Sequence, residues 1–127
     1  MSAGSVRVGA FLKEKLMNLA VWVTNTIGKE NINMDIEQFV NRRSEVEITF
    51  FADILSTNSV KVIHRDWMGL VGILESDATI PRDVADSFIT ILQLVRQKEE
   101  MHDKFWRYME LFRDVVERGR DEIFLTP

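Results

Sequence analysis

The sequence predicts an all-α fold: a single helical domain over residues 1–127, built as a bundle of four or five helices that ends in a long C-terminal helix. Three observations carry this expectation. Apolar residues recur at spacings of three and four along most of the chain, the period of a helix with one buried face. No glycine or proline occurs from Arg82 to Arg118. Only residues 45–65 also alternate as a pair of strands would, which leaves an α+β fold with one short hairpin as the alternative. A lone two-stranded hairpin is marginal in water, and helix is the preferred reading.

The first helix runs from about Val6 to Ile27, with Val8, Phe11, Leu12, Leu16, Leu19, Ala20, Val23 and Ile27 on its apolar side and Gly28 as its C-terminal cap. Its polar face, Glu14, Asn18 and Asn25, is narrow, so this helix belongs near the centre of the core. After the linker "GKENINMD", Asn31 or Asn33 is placed to cap a short helix through "DIEQFVN". Ser44 and Glu47 then have the S-x-x-E spacing of a capping box, with Ile48, Phe51 and Leu55 on one face of the helix behind it.

From Ser59 as N-cap, Val60, Ile63, Trp67, Val71 and Leu74 share a stripe, which makes one helix of the stretch and leaves "HRD" on its outer side. Asp66 is an alternative cap for a later start of the same helix. "ESDATIPRD" reads as a linker, with Pro81 opening the next helix. The segment Arg82–Arg118 follows as one continuous helix of about 55 Å at 1.5 Å per residue. Its stripe of Val84, Phe88, Ile91, Val95, Lys98, His102, Phe105, Met109, Phe112 and Val116 keeps the four-three alternation of a heptad. A hairpin breaking near "RQKEEMHD" is the runner-up, although nothing in that run favours a break.

The motifs name no reaction. His64-Arg65-Asp66 matches the H-R-D of a protein-kinase catalytic loop, but that loop needs an Asn five residues after the Asp, and Val71 stands there. No glycine-rich loop and no D-F-G accompanies it. Glu99 and His102 have the E-x-x-H spacing of a di-iron bundle, yet His64, the other histidine, has Lys61 where the second Glu belongs. With no cysteine, thiolate metal sites and cysteine nucleophiles are excluded. The sequence therefore points to a chain that is not an enzyme and uses no metal or other cofactor.

The net charge of −4 is evenly spread: residues 1–81 carry 8 basic and 10 acidic side chains, and residues 82–127 carry the same numbers. Such a balance disfavours a broad nucleic-acid surface. A local patch of Arg42, Arg43, Lys61 and Arg65, with Trp67 for stacking, keeps a small nucleic-acid-binding regulator as the alternative. The longest apolar run, "LAVWV", is far too short to span a bilayer, and the N-terminus lacks a secretory leader, so the expected compartment is the cytoplasm. The apolar stripe of the long helix exceeds what the shorter helices could cover. The expected function is accordingly a protein–protein interaction and self-association module, such as an adaptor, assembly factor or inhibitor of a partner. Pairing with a second copy, as a homodimer or larger, is expected through Phe88, Ile91, Val95, Lys98, His102, Phe105, Met109, Phe112 and Val116.

Overall fold

The computed structural model describes the backbone of residues 3–125 and the side chains of residues 8–118. Among the described residues every regular element is helical: α1 (Ala3–Ile27), α2 (Ile36–Arg42), α3 (Glu45–Thr57), α4 (Ser59–Ile63), α5 (Trp67–Ser76), α6 (Arg82–Arg96) and α7 (His102–Leu125), with short 3-10 turns at Lys29–Asn31 and Glu99–Met101. The expected helix bundle is present. Two of its expected helices are each split in two, and both splits come from identifiable side chains.

α1 lies against α2, α3 and α7, which accounts for its narrow polar face. Gly9 lets α1 and α3 touch, because a Cβ there would fall 2.9 Å from Glu45 Cβ and 3.0 Å from the Glu45 carbonyl oxygen. At the other end Gly28 takes φ +94°, a backbone state that side chains rarely adopt. Asn31 does not cap α2 as expected; its amide donates to the Ile27 carbonyl at 2.9 Å and closes α1 instead. The α2 cap is Asp35, whose carboxylate accepts the Gln38 N–H at 3.0 Å.

The capping box opens α3 as the sequence indicates. Ser44 Oγ accepts the Glu47 N–H at 3.1 Å, and Glu47 Oε1 accepts the Ser44 N–H at 3.3 Å. With α3 helical through Thr57, the hairpin alternative for residues 45–65 falls away.

The stretch expected as one helix from Ser59 onward is α4 and α5 at an angle. His64 ends α4, Arg65 takes the left-handed φ of +51°, and Asp66 caps α5 by accepting the Gly69 N–H at 2.9 Å. The supposed stripe is divided accordingly. Val71 and Leu74 are buried, Trp67 is half-buried, and Val60 and Ile63 stand in solvent, while Val62 fills the core from α4. "HRD" is thus a turn rather than the outer face of a helix. The next corner is held by Asp77, which accepts the Thr79 N–H at 2.9 Å, and by Arg82, whose guanidinium donates to the Leu74 and Glu75 carbonyls at 2.8 and 3.0 Å.

The continuous helix from Arg82 to Arg118 is also corrected. α6 stops at Arg96, Lys98 is extended at φ −116°, ψ 91°, and α7 restarts at His102. α6 packs on α5, whereas α7 turns back to lie on α1, α3 and α4. The reason is visible in what the return buries: Met101 and Trp106, absent from the expected stripe, are 1% and 0% exposed. An indole of roughly 150–250 Å² is worth about 4–6 kcal/mol at ~25 cal/mol per Å². Breaking one helical turn forfeits a few backbone hydrogen bonds at a net of about 1 kcal/mol each. Burial of α7 therefore outweighs local helix continuity, although no residue in the break is a helix breaker.

Candidate functional site

The side chains expected to mediate self-association lie inside the chain's own core. Phe88, Ile91, Val95, Phe105, Met109, Phe112 and Val116 are all buried by α6 and α7 packing against the other helices, so this stripe is not an outer surface. The two polar members sit at the break: Lys98 is exposed, and His102 is half-buried, with Nε2 2.8 Å from the Arg96 carbonyl oxygen. A carbonyl only accepts, so that ring nitrogen carries the proton and the imidazole caps the end of α6. His102 also lies against Trp67, with ring centroids 5.0 Å apart, while Phe105 stacks on Trp67 at 5.3 Å and Trp106 meets it edge-on at 4.8 Å. This aromatic cluster locks the start of α7 to the start of α5.

The four basic residues of the alternative reading are not gathered into one patch. Arg43 is drawn to the N-terminal end of α6, 3.9 Å from Asp83 and 3.4 Å from Glu47, with its guanidinium over the Phe39 ring. Arg65 pairs with Asp103 at 3.0 Å, beyond the opposite end of α6. The 15 residues of α6 separate those ends by roughly 22 Å at 1.5 Å per residue. Lys61 runs beside Gly69 at the start of α5, and Arg42 is exposed at the end of α2. Among the described residues, no group of three histidine or carboxylate side chains is placed to hold a metal ion. No described helix is long and apolar enough to cross a membrane.

What the surface does offer is apolar. Val46 and Phe50 stand one turn apart on the outer side of α3, 54% and 44% exposed. They edge an open groove of about 280 Å³ whose far wall is Ile80, Pro81 and Val84 and whose inner side reaches Ile54 and Phe51. The floor is stiff, because Phe51 stacks flat on Phe88 with centroids 3.9 Å apart and Phe39 meets Phe88 edge-on at 6.0 Å. Its charged edge is Glu47, paired with Arg43. Such a groove accepts apolar side chains and has no cluster of polar groups to orient a small substrate. Further exposed apolar residues, Val60, Ile63 and Met68, flank the α4–α5 turn.

Sequence reasoning did not single out this groove, but a signal was there. On a helix that buries Ile48, Phe51 and Leu55, Val46 and Phe50 point to the opposite side. Apolar residues left over after the core face is assigned mark a surface, and only the far wall from the α5–α6 linker needed the tertiary structure. No family model, curated protein or solved structure matches the chain.

Proposed function

We propose that this chain is a non-enzymatic protein–protein interaction and self-association module of the cytoplasm, working as an adaptor, assembly factor or inhibitor. Its docking surface is the groove edged by Val46 and Phe50, and its partners are other protein chains, a second copy included. The observation that carries the reading is the exposure of these two large apolar side chains beside a preformed apolar groove with a rigid aromatic floor. Isolated exposed apolar residues are common, whereas a contiguous patch with a groove marks an interaction surface. A partner's apolar side chain seated there would gain about 25 cal/mol for each Å² of apolar area that it removes from water.

Sedimentation velocity of the wild type and of a Val46→Glu, Phe50→Glu variant tests the proposal. The wild type should exceed its 14.8 kDa monomer mass as concentration rises, and the variant should lose at least tenfold in the part of that association that re-equilibrates within seconds of dilution. Both should melt within a few degrees of one another, since neither replaced side chain belongs to the buried core. A wild type that stays at monomer mass into the hundreds of micromolar, together with a variant that matches it in every binding assay, would remove this function.

A further inference from the structure

We propose that α7 exchanges between two copies of this chain: Lys98 straightens, α6 and α7 fuse into one helix, and each α7 seats on the α1, α3 and α4 of the other copy. This rests on the reading of the chain as a self-association module and names both the partner and the exchanged segment.

The hinge geometry is the first support. The reversal is concentrated at Lys98, with φ −116° and ψ 91°, while Gln97 at φ −73°, ψ −12° and His102 at φ −60°, ψ −50° are already in the right-handed helical region. The intervening Glu99–Met101 turn is 3-10, close to α-helical in its dihedrals. Turning ψ of Lys98 by about 130° therefore does most of the work of joining the two helices.

The hinge sequence is the second. Gln97, Lys98, Glu99, Glu100 and Met101 are all strong helix formers, and no glycine or proline lies between Arg82 and Arg118. A turn meant to stay closed commonly carries glycine, asparagine or proline. This one carries none of them, and its closed form is held instead by the seating of α7.

Packing is the third. α6 rests mainly on α5 and α7 mainly on α1, α3 and α4, so the two helices depend little on each other. An exchanged α7 recovers the same partners from the other copy, including the stacking of Trp67 on Phe105 and the Arg65–Asp103 ion pair. What differs is local to the hinge. The closed form has Lys98 N–H to Val95 carbonyl at 2.9 Å and the His102 imidazole on the Arg96 carbonyl. The open form replaces them with an unbroken ladder through residues 93–105. With all other contacts conserved, concentration decides between closed monomer and exchanged dimer.

Charge at the hinge does not oppose straightening. Lys98, Glu99 and Glu100 are all exposed in the closed chain, so none of them has to leave a buried site.

The chain has no cysteine, which permits a direct test. Arg65→Cys with Asp103→Cys places two thiols at a contact that joins α7 to the α4–α5 turn, and a short bis-maleimide then links them. In the monomer fraction the link should form within one chain. In a dimer fraction isolated after refolding at high concentration, it should join two chains on a denaturing gel. Labelled dimers should trade subunits over hours rather than seconds, because exchange requires α7 to unseat. Inserting Gly-Gly between Lys98 and Glu99 should lower the dimer fraction at least tenfold while leaving the monomer folded, and Val46→Glu with Phe50→Glu should leave the exchanged dimer intact. Monomer alone at millimolar concentration overturns the exchange along with self-association. A dimer linked only within chains and dispersed by the Val46 and Phe50 changes overturns the exchange while supporting the groove.

Discussion

At residues 64–66 the chain turns between α4 and α5 through groups that belong to the turn itself. His64 ends one helix, Arg65 takes a left-handed conformation, and the Asp66 carboxylate caps the next helix. At residues 97–101 the chain reverses between α6 and α7 through residues that would each sit comfortably in a helix, and here, apart from the His102 imidazole on the Arg96 carbonyl, the stabilising groups are distant: Trp106, Phe105 and Phe112 sunk among other helices, with Trp67 receiving the start of α7. One reversal is written locally and the other is imposed by packing. Cutting a locally written turn should cost a cap, whereas cutting the imposed one requires removal of the core that imposes it.

The largest expected effect tests the imposed reversal. Phe105→Glu together with Phe112→Glu puts two charges at positions only 2% exposed, and cooperative thermal unfolding by far-UV circular dichroism should be lost. A variant that keeps a wild-type melt would show that α7 packing does not hold the reversal. Next in size, Trp106→Ala should destabilise by about 3–5 kcal/mol in urea titration. The indole N–H of Trp106 has no hydrogen-bond partner among the described residues, so Trp106→Phe should recover most of that loss, despite the smaller ring.

At the local turn, Asp66→Ala should cost about 1 kcal/mol through the lost cap, while Asp66→Asn, which also caps, should cost little. Lys98→Ala at the imposed turn should stay within about 0.5 kcal/mol, measured by the same titration. Equal costs at the two sites would erase the distinction between them.

The smallest effect lies at a third corner, also locally written. The hydroxyl and then the N–H of Thr79 hold the Asp77 carboxyl below its ordinary value of 3.8. A lowered folded-state value stabilises the fold above pH 3.8, and that contribution fades as the pH falls through the lowered value. Acid titrations of wild type and Asp77→Asn should therefore differ slightly at neutral pH and converge in strong acid.

The same distinction explains what could be read from the sequence. The Ser44–Glu47 capping box, Pro81 at the mouth of α6 and Gly28 behind α1 are each decided by neighbours within four residues, and each was legible. The α2 cap is not singled out by the sequence, because the polar run before Ile36 offers several candidates and the structure uses Asp35, whose carboxylate accepts the Gln38 N–H. The α6–α7 break was illegible for a deeper reason. A periodic apolar stripe reports that one face will be covered, but not whether the cover comes from another molecule or from the chain's own return. Met101 and Trp106 lay off the heptad, and they tip the balance toward return. The groove was half legible, through Val46 and Phe50 on the far side of α3, while Ile80 and Pro81 reach it only by the course of the linker.

Trp67 and Trp106, one from α5 and one from α7, meet edge-on with ring centroids 4.8 Å apart. Two indoles at that separation couple their electronic transitions, and the coupling should mark the near-ultraviolet circular dichroism with a signal that exists only while α7 is seated. Far-ultraviolet ellipticity, in contrast, counts helix wherever it lies. The wild-type protein thus carries an unlabelled optical gauge of its last helix, able to separate loss of seating from loss of helix in a single sample.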